Sequence, residues 1–100
     1  MMNVDGKKIV VVGTGVSGIG AVKLLAQTGA VITLYDGNEK LAESDVRAKL
    51  PKGCEVRIIL GEMPQSIIND TDLLVISPGV PIDSPIVLAF KDAGVTVWGE

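Results

Sequence analysis

Histidine is absent from this 100-residue chain, and cysteine occurs once, as Cys54. A lone thiol cannot close an internal disulfide, and without imidazole a zinc site lacks its usual ligands. The pattern predicts a reducing, cytoplasmic setting and no resident metal; Cys54 reads as a small strand residue rather than a nucleophile. Aromatic side chains are scarce too, one each of Phe, Trp and Tyr, so the core must be built from Val, Ile, Leu and Ala. Positive charge is not in excess. Nine basic against twelve acidic residues leave a net charge of -3, with no basic stripe, which argues against nucleic acid or an anionic membrane as partner. No apolar run is long enough to span a bilayer. Lys7-Lys8 ahead of Ile9 imitates the start of a signal peptide, but glycines break the apolar run after Val12 and no cleavage site follows.

What the chain does have is Ile9-Val10-Val11-Val12 followed by Gly13-Thr14-Gly15-Val16-Ser17-Gly18. Four β-branched or apolar residues in a row suit a parallel strand covered on both faces. The three glycines fall on G-x-G-x-x-G. In that spacing the first permits a tight turn, the second lets a pyrophosphate approach the backbone, and the third allows helix to pack closely on strand. The N–H groups of Val16, Ser17 and Gly18, at the positive end of the helix dipole, then face the ligand. A lone glycine fingerprint is weak evidence. Here it follows a strand, opens a helix and has an acid, Asp36, at the end of the next strand, as a nucleotide site requires.

The remaining pattern alternates strands with helical segments. Strands are expected at 8–12, 31–35, 54–60, 72–77 and 95–98. Helices are expected at 17–27, with Ile19, Val22 and Ala26 on the sheet, and at 39–50, with Ala42, Val46 and Leu50 inward and a Glu43/Arg47 pair outward. A short helical piece follows Pro64. Ser84 as N-cap, Pro85 at the first helical position and Gly94 as C-terminal cap frame the last helix, and Gly29 caps the first. This predicts an α/β fold, a Rossmann-like doubly wound parallel sheet of order 3-2-1-4-5. The ligand is expected at its carboxyl edge, where the order reverses between strands 1 and 4, with Val10, Val12, Leu74 and Ile76 buried. The whole chain reads as one domain, and its closing Gly99-Glu100 as the start of a hinge.

Two further loops reach that edge: Asp36-Gly37-Asn38 after strand 2, and Ser77-Pro78-Gly79-Val80-Pro81 after strand 4, the latter offering the N–H groups of Gly79 and Val80. Together with the glycine turn, these residues resemble the muramyl ligases of bacterial cell-wall synthesis, and most closely the D-glutamate-adding branch. The resemblance covers essentially the whole chain but only that family's amino-terminal domain. It implies that this domain holds the UDP of UDP-N-acetylmuramoyl-L-alanine. Gly13, Gly15 and Gly18 would belong to the UDP site, in which Val16 and Ser17 would meet the pyrophosphate through backbone N–H groups and the Ser17 hydroxyl, Asp36, Gly37 and Asn38 the uracil end, and Ser77, Pro78 and Gly79 would form the opposite wall. Some relatives carry a basic residue where Asn38 stands.

The residues of ATP chemistry are missing from the sequence. It has no G-x-x-x-x-G-K-[ST] loop and no carboxylate cluster for magnesium. The resemblance implies that ATP and magnesium act in central and carboxyl-terminal domains, so this chain alone is expected to bind without catalysing. The rival reading is an NAD-binding domain of an oxidoreductase, since the glycine spacing and Asp36 suit that equally well. Its length counts against it, because a full dinucleotide fold needs two mononucleotide halves.

Overall fold

The computed structural model describes residues 4–98; Gly99-Glu100 and the start of the polar lead-in lie outside them. Five strands, β1 (Lys8–Val12), β2 (Val31–Asp36), β3 (Val56–Leu60), β4 (Leu73–Ile76) and β5 (Thr96–Trp98), form one sheet. Its order is β3-β2-β1-β4-β5, and each neighbouring pair runs parallel. The expected topology and order are therefore observed. In register, Val12 lies beside both Tyr35 and Ile76, so β1 and β4 end level and β2 runs one residue further, to Asp36.

Helices α1 (Val16–Leu25), α2 (Glu43–Ala48), α3 (Gln65–Asn69) and α4 (Pro85–Asp92) connect the strands. Alternation along the strands sends successive side chains to opposite faces. On one face Ile9, Val11, Ile32, Leu34 and Val56 pack with Ile19 and Val22 of α1 and with Val46 and Leu50. On the other, Val10, Val12, Tyr35, Leu74 and Ile76 pack with Ile68, Val87 and Phe90. The sheet is thus covered on both sides, which is why β1 and β4 carry hardly a polar residue. All four residues expected in the core, Val10, Val12, Leu74 and Ile76, are buried.

The helix limits depart from the sequence expectation. α2 starts at Glu43 rather than 39, because Asn38 turns the chain first: its carbonyl accepts from Leu41 N–H and its Oδ1 from Lys40 N–H. Ala42 is consequently an exposed N-cap in extended conformation, not a core residue. α1 ends at Leu25, and Ala26 is exposed, so its sheet-facing side is Ile19 and Val22, with Ala21 and Leu25 packed partly buried against the same cluster. β3 begins at Val56 because Cys54 N–H is held in a turn by the Pro51 carbonyl. Likewise β4 and β5 are a residue or two shorter than expected. The Glu43–Arg47 pair forms at 3.8 Å, while the Arg47 guanidinium also donates to the Val56 carbonyl at 2.8 Å, tying α2 to β3. Gly29 and Gly94 adopt the left-handed conformation expected of helix-terminating glycines.

Candidate functional site

Four loops converge at the carboxyl edge of the sheet, and backbone bonds extend the ladder into them. Gly13 N–H donates to the Tyr35 carbonyl at 2.7 Å, Gly61 N–H to Asp36 at 2.9 Å, and Ser77 N–H to Val12 at 3.2 Å. The first residues of each loop are therefore fixed by the sheet rather than free to wander.

The three glycines of the turn do three different things. Gly13 has φ +110°, a conformation L side chains rarely adopt, and an added Cβ would lie 2.7 Å from Ser77 Oγ. At Gly18 an added Cβ would land on the Gly13 carbonyl oxygen, so only glycine lets the helix fold back this closely onto the strand end. Gly15 is unlike both: its φ is -76°, and nothing lies within 4 Å of the Cβ position. The space over Gly15 is open. Gly15 is also the N-cap of α1, with no side-chain cap and no acid in the first turn. The first intrahelical-type bond belongs to Ile19, donating to the Gly15 carbonyl, so the N–H groups of Val16, Ser17 and Gly18 have no carbonyl inside the helix. Val16, 92% exposed, stands at this tip beside the exposed Ser17.

Asp36 is half-buried and bound to this turn. Its Oδ2 accepts from Thr14 N–H at 3.2 Å and from the Thr14 hydroxyl at 2.9 Å, while its Oδ1 accepts from Asn38 N–H at 2.9 Å. Thr14, only 6% exposed, is a site residue that the sequence reading missed. The signal was a hydroxyl between the two turn glycines, facing an acid that closes the next strand. Gly37 and Asn38 are exposed beyond it.

Ser77 sits on the other side. Its hydroxyl donates to the Val12 carbonyl at 2.8 Å, so it braces the glycine turn as well as lining the edge. Val80 N–H, expected to be free, instead donates to the Ser77 carbonyl at 2.9 Å in a tight turn; Pro78 and Gly79 are exposed. Ser84 occupies the N-cap position of α4, but its buried Oγ makes no capping bond, and Pro85, lacking an N–H, follows it. Tyr35 is a second residue that sequence missed. Its hydroxyl donates to the Gly61 carbonyl, joining the ends of β2 and β3. Burial, then the nearby Asp36 and Glu62 charges, raise its pKa above the ordinary phenol value.

Two clefts flank the start of α1. One, of about 390 Å³, is lined by Ser17, Ala21, Ser77, Pro78 and Trp98. The other, of about 400 Å³, is lined by Thr14, Gly15, Val16, Lys23 and Lys49. The predicted residues of the glycine turn, of the Asp36 loop and of the Ser77 loop are thus brought to one edge. An open helix start with clefts to either side is an arrangement that can receive a phosphate-bearing ligand. Among the described residues, no helix is long and apolar enough to cross a membrane, and no three His, Cys, Asp or Glu side chains gather as a metal site would require.

Solved structures with this fold include the dehydroquinate dehydratase and shikimate dehydrogenase of S. pombe, with TM-score 0.67 and 15% identity over 98% of this chain and 25% of that one. D-Lactate dehydrogenase from Escherichia coli matches with TM-score 0.63 and 18% identity, over 98% of this chain and 29% of that one. At such identities the likeness concerns the fold alone. Sequence relatives are nearer. A UDP-N-acetylmuramoylalanine--D-glutamate ligase from Lachnospira eligens is 57% identical over 99 residues, 99% of this chain and 22% of that protein. One from Lachnoclostridium phytofermentans is 43% identical over the same shares. The chain therefore spans about a fifth of the length of these relatives. The profile described as "Mur ligase MurD-like, N-terminal domain" matches residues 7–99, and the chain belongs to that family.

Proposed function

We propose that this chain binds the UDP moiety of UDP-N-acetylmuramoyl-L-alanine, as the amino-terminal domain of an ATP-dependent ligase that adds D-glutamate during peptidoglycan synthesis. The observation that carries this reading is the 57% identity, over nearly the whole chain, to a relative named as a ligase of that substrate. The geometry adds to it: open space over Gly15, N–H groups of Val16, Ser17 and Gly18 that no helix carbonyl takes up, a cleft walled by the Ser77 loop, and Asp36 bound to the turn through Thr14. The pyrophosphate lies over Gly15 against the helix start, where dipole and N–H groups both favour negative charge. Asp36, Gly37 and Asn38 receive the uracil end, and Ser77, Pro78 and Gly79 close the other side. ATP and magnesium act in the central and carboxyl-terminal domains, so this chain by itself binds and does not turn over. A single free cysteine supports a cytoplasmic setting for that work.

NMR titration of the isotope-labelled chain tests the reading. UDP-N-acetylmuramoyl-L-alanine is expected to shift the amides of residues 15–18, Asp36 and 77–79, with NAD giving little. Equal or stronger shifts with NAD at those residues would overturn the ligase reading in favour of a dinucleotide site. Release of ADP from ATP by this chain, stimulated by D-glutamate, would show that the catalytic parts are misplaced.

A further inference from the structure

We propose that Thr14 sets how many donors a nucleotide can present to Asp36, making this carboxylate a reader of a single N–H or O–H rather than of a vicinal diol. The inference rests on the nucleotide reading above and concerns how that site selects. An ionised carboxylate offers about four acceptor positions. Three are taken within the protein: both Thr14 donors fill Oδ2, and Asn38 N–H uses one position on Oδ1. One position, on Oδ1, is left for a ligand. The Thr14 hydroxyl is committed to Asp36, to which it donates at 2.9 Å.

An acid at the end of the second strand of a dinucleotide site bonds the ribose hydroxyls. A diol that presents both hydroxyls to one carboxylate needs two vacant acceptor positions. Asp36 has one, whereas the imide N–H of a uracil needs only one. Thr14 thereby gives a sheet edge that looks like a dehydrogenase's a different ligand preference, without changing the acid itself. Removing the hydroxyl but not the N–H would return one position on Oδ2 and restore a two-position acceptor.

The test compares the unaltered chain with Thr14→Val and Thr14→Ser, using UDP and NAD as probes and calorimetry or NMR titration as readout. The unaltered chain and Thr14→Ser are expected to share one UDP-to-NAD preference. Thr14→Val is expected to move that ratio toward NAD by about fivefold, the worth of one exchanged hydrogen bond. A folded Thr14→Val with an unchanged ratio overturns the inference and leaves the nucleotide reading standing. Failure of the unaltered chain to bind UDP overturns both. Should Thr14→Val not fold, the unaltered chain still decides. Its Thr14 hydroxyl proton is expected to stay protected from exchange in the UDP-bound state, and loss of protection on binding overturns the inference.

Discussion

The motif leaves Gly15 to the ligand and Gly18 to helix–strand packing, and a pair of substitutions separates these roles. In Gly18→Ala the new methyl meets the Gly13 carbonyl oxygen and comes within 3.1 Å of Ser77 Oγ. Neither neighbour can yield easily. The carbonyl belongs to a backbone turn anchored by Gly13 N–H on Tyr35, and Ser77 is bonded to Val12. Overpacking against fixed backbone falls at the upper end of its usual range, about 3 kcal/mol. For a domain of this size that lowers the thermal midpoint by about 12–24 °C. Gly15→Ala meets nothing within 4 Å at a φ of -76° that any residue adopts. Stiffening the unfolded chain contributes about 0.4–1 kcal/mol, and the N-cap preference for glycine over alanine opposes it, so the net change is about 0.5 kcal/mol either way. Gly15→Val is likewise expected to fold, but to place its side chain where the phosphates approach and to abolish UDP binding. Urea unfolding followed by circular dichroism, with UDP titration of the folded variants, reads both halves. Equal destabilisation by the two alanine substitutions would refute this division of labour, and so would a Gly15→Val that binds like the unaltered chain.

Three other outcomes follow from the same geometry. Asp36→Ala strips the acceptor from Thr14 N–H and its buried hydroxyl, which is expected to cost about 1–3 kcal/mol of stability in denaturant unfolding and to weaken UDP binding. Tyr35 has a raised pKa in the folded chain, so folding favours its protonated form. Its contribution is complete below the ordinary phenol value and is lost as pH rises through the folded one. Tyr35→Phe is therefore expected to be about 1 kcal/mol less stable at neutral pH but to show a shallower alkaline decline, measured by thermal melts across pH. Phe90, fully buried between α4 and the sheet, is expected to cost about 3–5 kcal/mol as Phe90→Ala, again by urea unfolding.

Strand order and the gathering of three loops at one sheet edge were legible in the sequence because they follow from long-period features: apolar runs, glycine spacing and the acid closing β2. Local competition hid the rest. Just ahead of the helix pattern over 39–50 stands Asn38, whose side chain captures Lys40 N–H and delays the helix to Glu43. Cys54, apolar enough for a strand, is diverted by a turn onto Pro51. At the site, the sequence identified which residues gather but not which bond one another. Asp36 was read as facing a ligand, whereas three of its bonds face inward to Thr14 and Asn38. Ser77 likewise spends its proton on Val12. No spacing rule reports such long-range partners, since the pairs lie 22 and 65 residues apart.

Trp98 closes one wall of the cleft beside Ser17 and Ser77, and it is the chain's sole indole. The residue is 49% exposed at the end of the edge strand, so its emission belongs to a single, partly wetted environment. A charged or hydrogen-bonding molecule entering that cleft changes the solvent around the excited ring and hence its brightness and colour. One phenylalanine and one tyrosine contribute little competing light. The chain thus carries its one indole on the β4–β5 flank of α1, with only the weaker emitter Tyr35 on the Asp36 flank. Quenching of the indole emission on titration therefore reports how far a ligand reaches across the sheet edge, and a nucleoside held only at Asp36 leaves that emission unchanged.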